Sequence, residues 1–265
     1  MQVFDVHRGD GPIVLGQPHG GTYVPEDIAD RLNENGKRLV DTDWHINRLY
    51  KGIWPTATVV QSRVHRYVID ANRDPAGVSL YPGQNTTTLV PMTDFDGKSI
   101  WKDGKEPTEG DVEARRQAYH APYHTALAAE LDRVKAKHGI AVLFDCHSIR
   151  SRIPFLFQGT LPEMNIGTDG GATCAPAIEA IAHEFSASSP YSTVLNGRFR
   201  GGWTTRHYGR PSEGVHAIQM ELAQSAYLTA EAAPWAYNER KATRLRRWLH
   251  DILDAIKDTA LELAS

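Results

Sequence analysis

Three polar clusters in this sequence combine side chains that bind metals and move protons: Pro18-His19-Gly20-Gly21, Asp145-Cys146-His147-Ser148 and Glu221-Leu222-Ala223-Gln224. Histidine is the commonest protein ligand for metals and the side chain that exchanges a proton near neutral pH. The chain carries 12 of them in 265 residues, an excess that invites a search for a metal site. A catalytic zinc takes three protein ligands and keeps one position open, so His19 and His147 need at least one further donor. Asp43, in Asp41-Thr42-Asp43-Trp44-His45, is the leading candidate, with Asp41, Glu26 and His45 as rivals. Each has a plainer alternative. A histidine at a strand end also caps a neighbouring carbonyl, and an aspartate ahead of a helix caps its first N–H groups.

Glu221 sits in the otherwise apolar run Ile218-Gln219-Met220-Glu221-Leu222, where a charge is costly unless paired or used. Burial would raise its pKa towards neutrality, as suits a general base; a salt bridge at a strand end is the competing reading. Asp145, two residues before His147, reads as facing the opposite side of the strand. From there it would orient a ligand as a hydrogen-bond acceptor, or merely end the strand. Arg66, Arg73, Arg150 and Arg206 recur near these clusters, and arginine grips carboxylates through two parallel hydrogen bonds. Several of them beside a metal imply a small substrate with more than one carboxylate.

The elements that must carry these residues alternate. Residues 13–17 read as a buried strand, and the glycines after His19 would let the chain turn tightly and a ligand approach closely. Residues 25–35 and 41–51 read as short helices, 57–60 and 67–70 as strands. Residues 71–110 are rich in Pro, Gly, Asn, Asp and Thr with no period, a loop long enough to suggest a functional role. Residues 111–138 predict a long amphipathic helix broken or kinked at Pro122, and 140–144 the clearest buried strand. A Gly-rich loop, 159–171, precedes a helix at 175–185. Strands near 192–195 and 215–222 and a charged helix at 233–263 complete the pattern. Strands alternating with helices predict a three-layer α/β/α sandwich with a mainly parallel sheet, in a single domain over residues 1–265.

Composition narrows the partners. With 29 Lys plus Arg against 32 Asp plus Glu, the net charge is −3, which argues against nucleic acid or an anionic membrane surface as partner. Two cysteines make no disulfide framework, the first residues carry early charge without an apolar core, and no long apolar run occurs. A soluble cytoplasmic protein is the expectation; oligomeric state is left open.

The segments Pro18-His19-Gly20-Gly21-Thr22-Tyr23, Thr42-Asp43-Trp44-His45, Arg66 through Arg73, Asp145 through Arg150, Gly201 through Gly209 and His216 through Leu222 together resemble the N-formylglutamate amidohydrolase family. They extend over nearly the whole chain. The resemblance implies a zinc-dependent hydrolase with a zinc-carboxypeptidase-like (phosphorylase/hydrolase-like) mixed sheet, related to aspartoacylase. It would cleave N-formyl-L-glutamate to formate and L-glutamate, late in bacterial histidine degradation. His19, Asp43 and His147 would hold the zinc and Glu221 would be general base to a metal-activated water. Arg66 would stabilise the oxyanion, and Asn72 with Arg73 would hold the α-carboxylate. Arg150, Arg206 and His207 are the candidates for the second carboxylate. His19 is followed three positions later by Thr22 rather than the Glu of carboxypeptidases, so the carboxylate ligand must come from elsewhere. Alternatives are a de-N-acylase for another N-acyl amino acid, or a non-catalytic metal or amino-acid binder.

Overall fold

A computed structural model of the chain describes residues 2–79, 83 and 85–265. Its frame is one seven-stranded sheet. In chain order the strands are β1 (Phe4–His7), β2 (Ile13–Gln17), β3 (Thr58–Ser62), β4 (Ala141–Ile149), β5 (Met164–Gly167), β6 (Thr193–Leu195) and β7 (Val215–Ala223). They lie side by side as β1-β3-β2-β4-β7-β5-β6. The β3–β2, β2–β4, β4–β7 and β5–β6 pairs are parallel, whereas β1–β3 and β5–β7 are antiparallel. The helices are α1 (Glu26–Ala29), α2 (Ile46–Tyr50), α3 (Glu109–Arg115), α4 (Ala121–His138), α5 (Pro176–Ala187), α6 (Trp203–Tyr208) and α7 (Glu239–Leu263).

The layers follow from strand periodicity. Every residue of β4 and β7 is buried, as in a parallel strand covered on both faces. Val142, Phe144 and Cys146 pack with Ile218, Met220 and Leu222 under α5 and α7. Ala141 and Leu143 pack with Val215, Ala217 and the α4 residues Leu127 and Leu131 on the other face. The expected three-layer α/β/α sandwich is therefore present. Period two also corrects the orientation read for Asp145: it shares a face with His147, on the α4 side of the sheet.

Several elements depart from the sequence reading. The helices read at 25–35 and 41–51 shrink to α1 and α2, because His45 takes a left-handed backbone at φ 61° and Leu32 bridges to Trp101. Residues 67–70 form no strand. The Val68 N–H turns back to the His65 carbonyl, and Tyr67, Val68 and Ile69 fill a separate cluster with Trp101 and Ile100. This cluster anchors the long loop, of which residues 80–82 and 84 lie outside the described residues. Pro122 does not break its helix: a wide π turn at Arg116–His120 comes just before it, accommodating a proline that has no N–H to donate. α7 starts at Glu239, capped by the Asn238 side chain on the Lys241 N–H. The reading missed β1 and β5; the latter is a four-residue strand inside the supposed Gly-rich loop, held by pairing to β7.

Candidate active site

The carboxyl ends of β2, β4 and β7 deliver the chemistry. His19 follows β2, while β4 and β7 pair so that His147 stands beside Glu221 and Asp145 beside Gln219. Asp43 comes from the turn ahead of α2. His19, Asp43 and His147 are all buried, and one donor atom from each lies within 4.8 Å of the others. The two glycines after His19 serve packing: a Cβ at Gly20 would lie 2.3 Å from Asn47 Oδ1, and one at Gly21 2.3 Å from the Arg63 backbone.

Each imidazole is oriented from behind. His19 Nε2 donates to Asp70 Oδ1 at 2.7 Å, and His147 Nε2 lies 3.0 Å from Asp145 Oδ2. Those contacts point both Nε2 atoms at carboxylates and turn both Nδ1 atoms inward, where they lie 3.1 Å apart; Asn72 Nδ2 also reaches His147 Nε2 at 3.3 Å. Two imidazole Nδ1 atoms facing each other beside a carboxylate make a donor set for a divalent cation, so these residues fit a metal. Burial and the nearby Arg66 charge lower the His19 pKa to about 4, which keeps it neutral as a ligand must be. Burial would also lower His147, but Asp145 and Asp43 outweigh it and hold its pKa well above the usual value. Burial would raise Asp43, but Arg66 overcomes this and holds it below the usual carboxylate range.

Asp43 is no helix cap. Its Oδ2 accepts the Ser148 N–H at 2.8 Å and its Oδ1 accepts from Arg66 at 2.5 Å. The rivals are occupied differently: Asp41 accepts from the Tyr67 hydroxyl and the Phe95 N–H, and His45 Nε2 meets the Trp235 carbonyl. Glu221 is 6% exposed, and burial pushes its pKa to about 8 although His147 pulls the other way.

A cavity of about 140 Å³ opens on these groups, and His19, His147, Glu221, Arg66, Asn72 and Arg73 all line it. Arg66 Nε has no hydrogen-bond partner among the described residues. Arg73 donates to the Thr87 carbonyl and hydroxyl, which steadies its guanidinium at the wall. The other expected substrate contacts are not brought there. Arg150 faces Asp96 at 3.2 Å, and Arg206 pairs with Asp169 at 3.0 Å. His207 stacks on Trp203 beside a different groove, next to α4. Instead Arg198 joins the cavity lining. Sequence reading missed Arg198, as well as the Asp70 contact to His19 and the place of Gln219 in the cavity lining. For Gln219 a signal existed, since it shares a strand face with Glu221.

The model of one protein family, N-formylglutamate amidohydrolase, matches residues 11–228. The chain belongs to that family. Two curated relatives named N-formylglutamate deformylase, from Pseudomonas aeruginosa and Pseudomonas putida, are each 41% identical to it over 257 residues, covering 96% of both chains. The fold is also that of a solved N-formylglutamate amidohydrolase from Ralstonia eutropha JMP134, with a TM-score of 0.79 at 22% identity over 100% of this chain and 98% of that one. Among the described residues of this family member, no helix is long and apolar enough to cross a membrane.

Proposed function

We propose that this amidohydrolase hydrolyses N-formyl-L-glutamate to formate and L-glutamate, with one zinc ion held by His19, Asp43 and His147. The observation that carries the reading is the inward-facing Nδ1 pair beside Asp43, with Glu221 in register on the next strand. The 41% identity to two deformylases supports the choice of substrate. When bound, the zinc supplies Lewis acidity that activates water and polarises the formyl carbonyl.

The chain's own residues do the rest. Glu221 takes a proton from the attacking water; the water oxygen bonds to the formyl carbon, the C–N bond breaks, and Glu221 returns the proton to the departing amine. A carboxylate with a raised pKa is suited to both halves of that exchange. Arg66, its guanidinium buried and one N–H unmatched, donates to the oxyanion that develops on the formyl oxygen. Asn72 and Arg73 hold the α-carboxylate. A dianionic small molecule matches a wall that carries both Arg73 and Arg198. In the cell the reaction would close a histidine-degradation route in the cytoplasm, consistent with two buried free cysteines.

Formate release from N-formyl-L-glutamate, measured with and without a chelator, tests this reading. The expected result is release that the chelator abolishes. Release from an N-acetyl substrate in preference would favour the related de-N-acylase chemistry, and binding without turnover would reject the enzymatic reading.

A further inference from the structure

Glu221 does not hold its position alone. Gln219, two residues earlier on β7, shares its face and donates from Nε2 to Glu221 Oε2 at 3.1 Å. The other end of the same amide accepts the Gly202 backbone N–H at 2.6 Å. That second contact decides which way round the amide sits. An N–H needs an acceptor, so Oε1 must face Gly202 and Nε2 must face Glu221. Gln219 is 3% exposed and lines the cavity together with Glu221 and Gly202.

Gly202 lies immediately before α6, where a Cβ would come within 2.3 Å of Asn72 Nδ2. Two residues on, the Thr204 N–H donates to Asn72 Oδ1 at 2.9 Å. One backbone turn thus sets the polarity of two cavity amides. Asn72 accepts from it and turns its Nδ2 to His147 Nε2 at 3.3 Å, while Gln219 turns its NH2 to Glu221.

We propose that Gln219 is a positioning residue for Glu221: it fixes the carboxylate by donating to Oε2, and the Gly202 N–H fixes Gln219 in the donating orientation. The inference rests on the reading of Glu221 as general base. A neutral donor is the chemistry such a post requires. It occupies one oxygen and leaves Oε1 to exchange the proton, whereas a cation there would form a salt bridge and an acid would repel.

Two substitutions test it in the metal-loaded protein. Gln219→Glu retains an acceptor for Gly202 but removes the donor; Gln219→Met keeps the volume, adds no charge and removes both. Each should lower kcat about 10–100-fold, the range for removing a group that orients a site residue. KM should stay within about twofold, because substrate binding is left intact. Bound metal per chain should not change. In a Glu221→Gln background, Gln219→Met should cause no further loss, since its effect passes through the carboxylate.

Wild-type kcat in Gln219→Met would overturn the proposal. So would a loss of the same size in the Glu221→Gln background, or a loss that appears in KM or metal content instead of kcat. Glu221→Gln by itself separates the two levels: if it turns over at a near-wild-type rate, the general-base reading fails. If it is inactive while Gln219→Met is fully active, only the positioning role fails.

Discussion

The Nδ1 atoms of His19 and His147 face each other at 3.1 Å, although the two residues stand 128 positions apart in the chain. Each ring's Nε2 is directed at a separate buried carboxylate, Asp70 for His19 and Asp145 for His147. The raised His147 pKa lets that ring carry a second proton, which metal binding would release. The surrounding protein holds the rings in that relation through the carboxylates behind them.

Removing a carboxylate from behind a ring should therefore weaken metal binding without removing a ligand. Asp70→Asn and Asp145→Asn are each expected to lower metal affinity or activity about 10–100-fold. Metal titration of the chelator-stripped protein measures it. Unchanged affinity in both variants would contradict the donor arrangement.

Glu221→Gln keeps the shape of the side chain and removes its ability to accept the proton. Turnover of N-formyl-L-glutamate should fall roughly 100–10,000-fold, with metal content retained. Steady-state kinetics beside metal analysis checks both halves.

Arg198 lines the cavity, its Nε donating to the Leu156 carbonyl at 3.2 Å, whereas Arg150 and Arg206 lie outside it beside Asp96 and Asp169. Arg198→Met should raise KM for N-formyl-L-glutamate roughly 10–100-fold, the loss of a charge-assisted hydrogen bond. For N-formyl-L-glutamine, which lacks the side-chain carboxylate, KM should hardly move. An equal rise for both substrates would show that Arg198 does not read that carboxylate.

Away from the site, Glu130 on α4 accepts from Arg8 at 2.7 Å and Arg133 at 2.6 Å. Burial alone would raise its pKa, but those two arginines outweigh it and hold it below the ordinary 4.5. A carboxylate whose folded-state pKa is depressed stabilises the fold above its unfolded-state value, and that contribution is lost as pH falls through the folded-state pKa. Glu130→Gln should lower the urea midpoint at neutral pH. Its difference from the parent should shrink as the pH falls below the ordinary carboxylate range. A difference that is constant with pH would assign the effect to packing instead.

Much of the site could be read from local spacing. Asp145 and His147, or Gln219 and Glu221, are two apart on strands whose apolar neighbours announce burial, so the two-residue repeat puts each pair on one face, a relation the sequence reading inverted for Asp145 and passed over for Gln219. The positions of the helix around 175–185 and of the strand near 215–222 were similarly evident, because periodic burial is written in consecutive residues. Residues 67–70 misled for the converse reason: an apolar run of four fits a strand or a buried turn equally, and the Trp101 cluster chose the turn.

The sequence by itself determined the α/β alternation, the central buried strands and the inventory of donors: two histidines, an aspartate and a glutamate near strand ends. Tertiary structure alone decided which partner each would meet. Asp70 reaches His19 across 51 residues only because the turn after β3 folds back over the end of β2. β5 became a strand because β7 offered it an antiparallel edge. The arginines were the hardest to place. A guanidinium on a long flexible stem has no period to betray its direction, so Arg150 and Arg206 turned to nearby aspartates and Arg198 to the cavity.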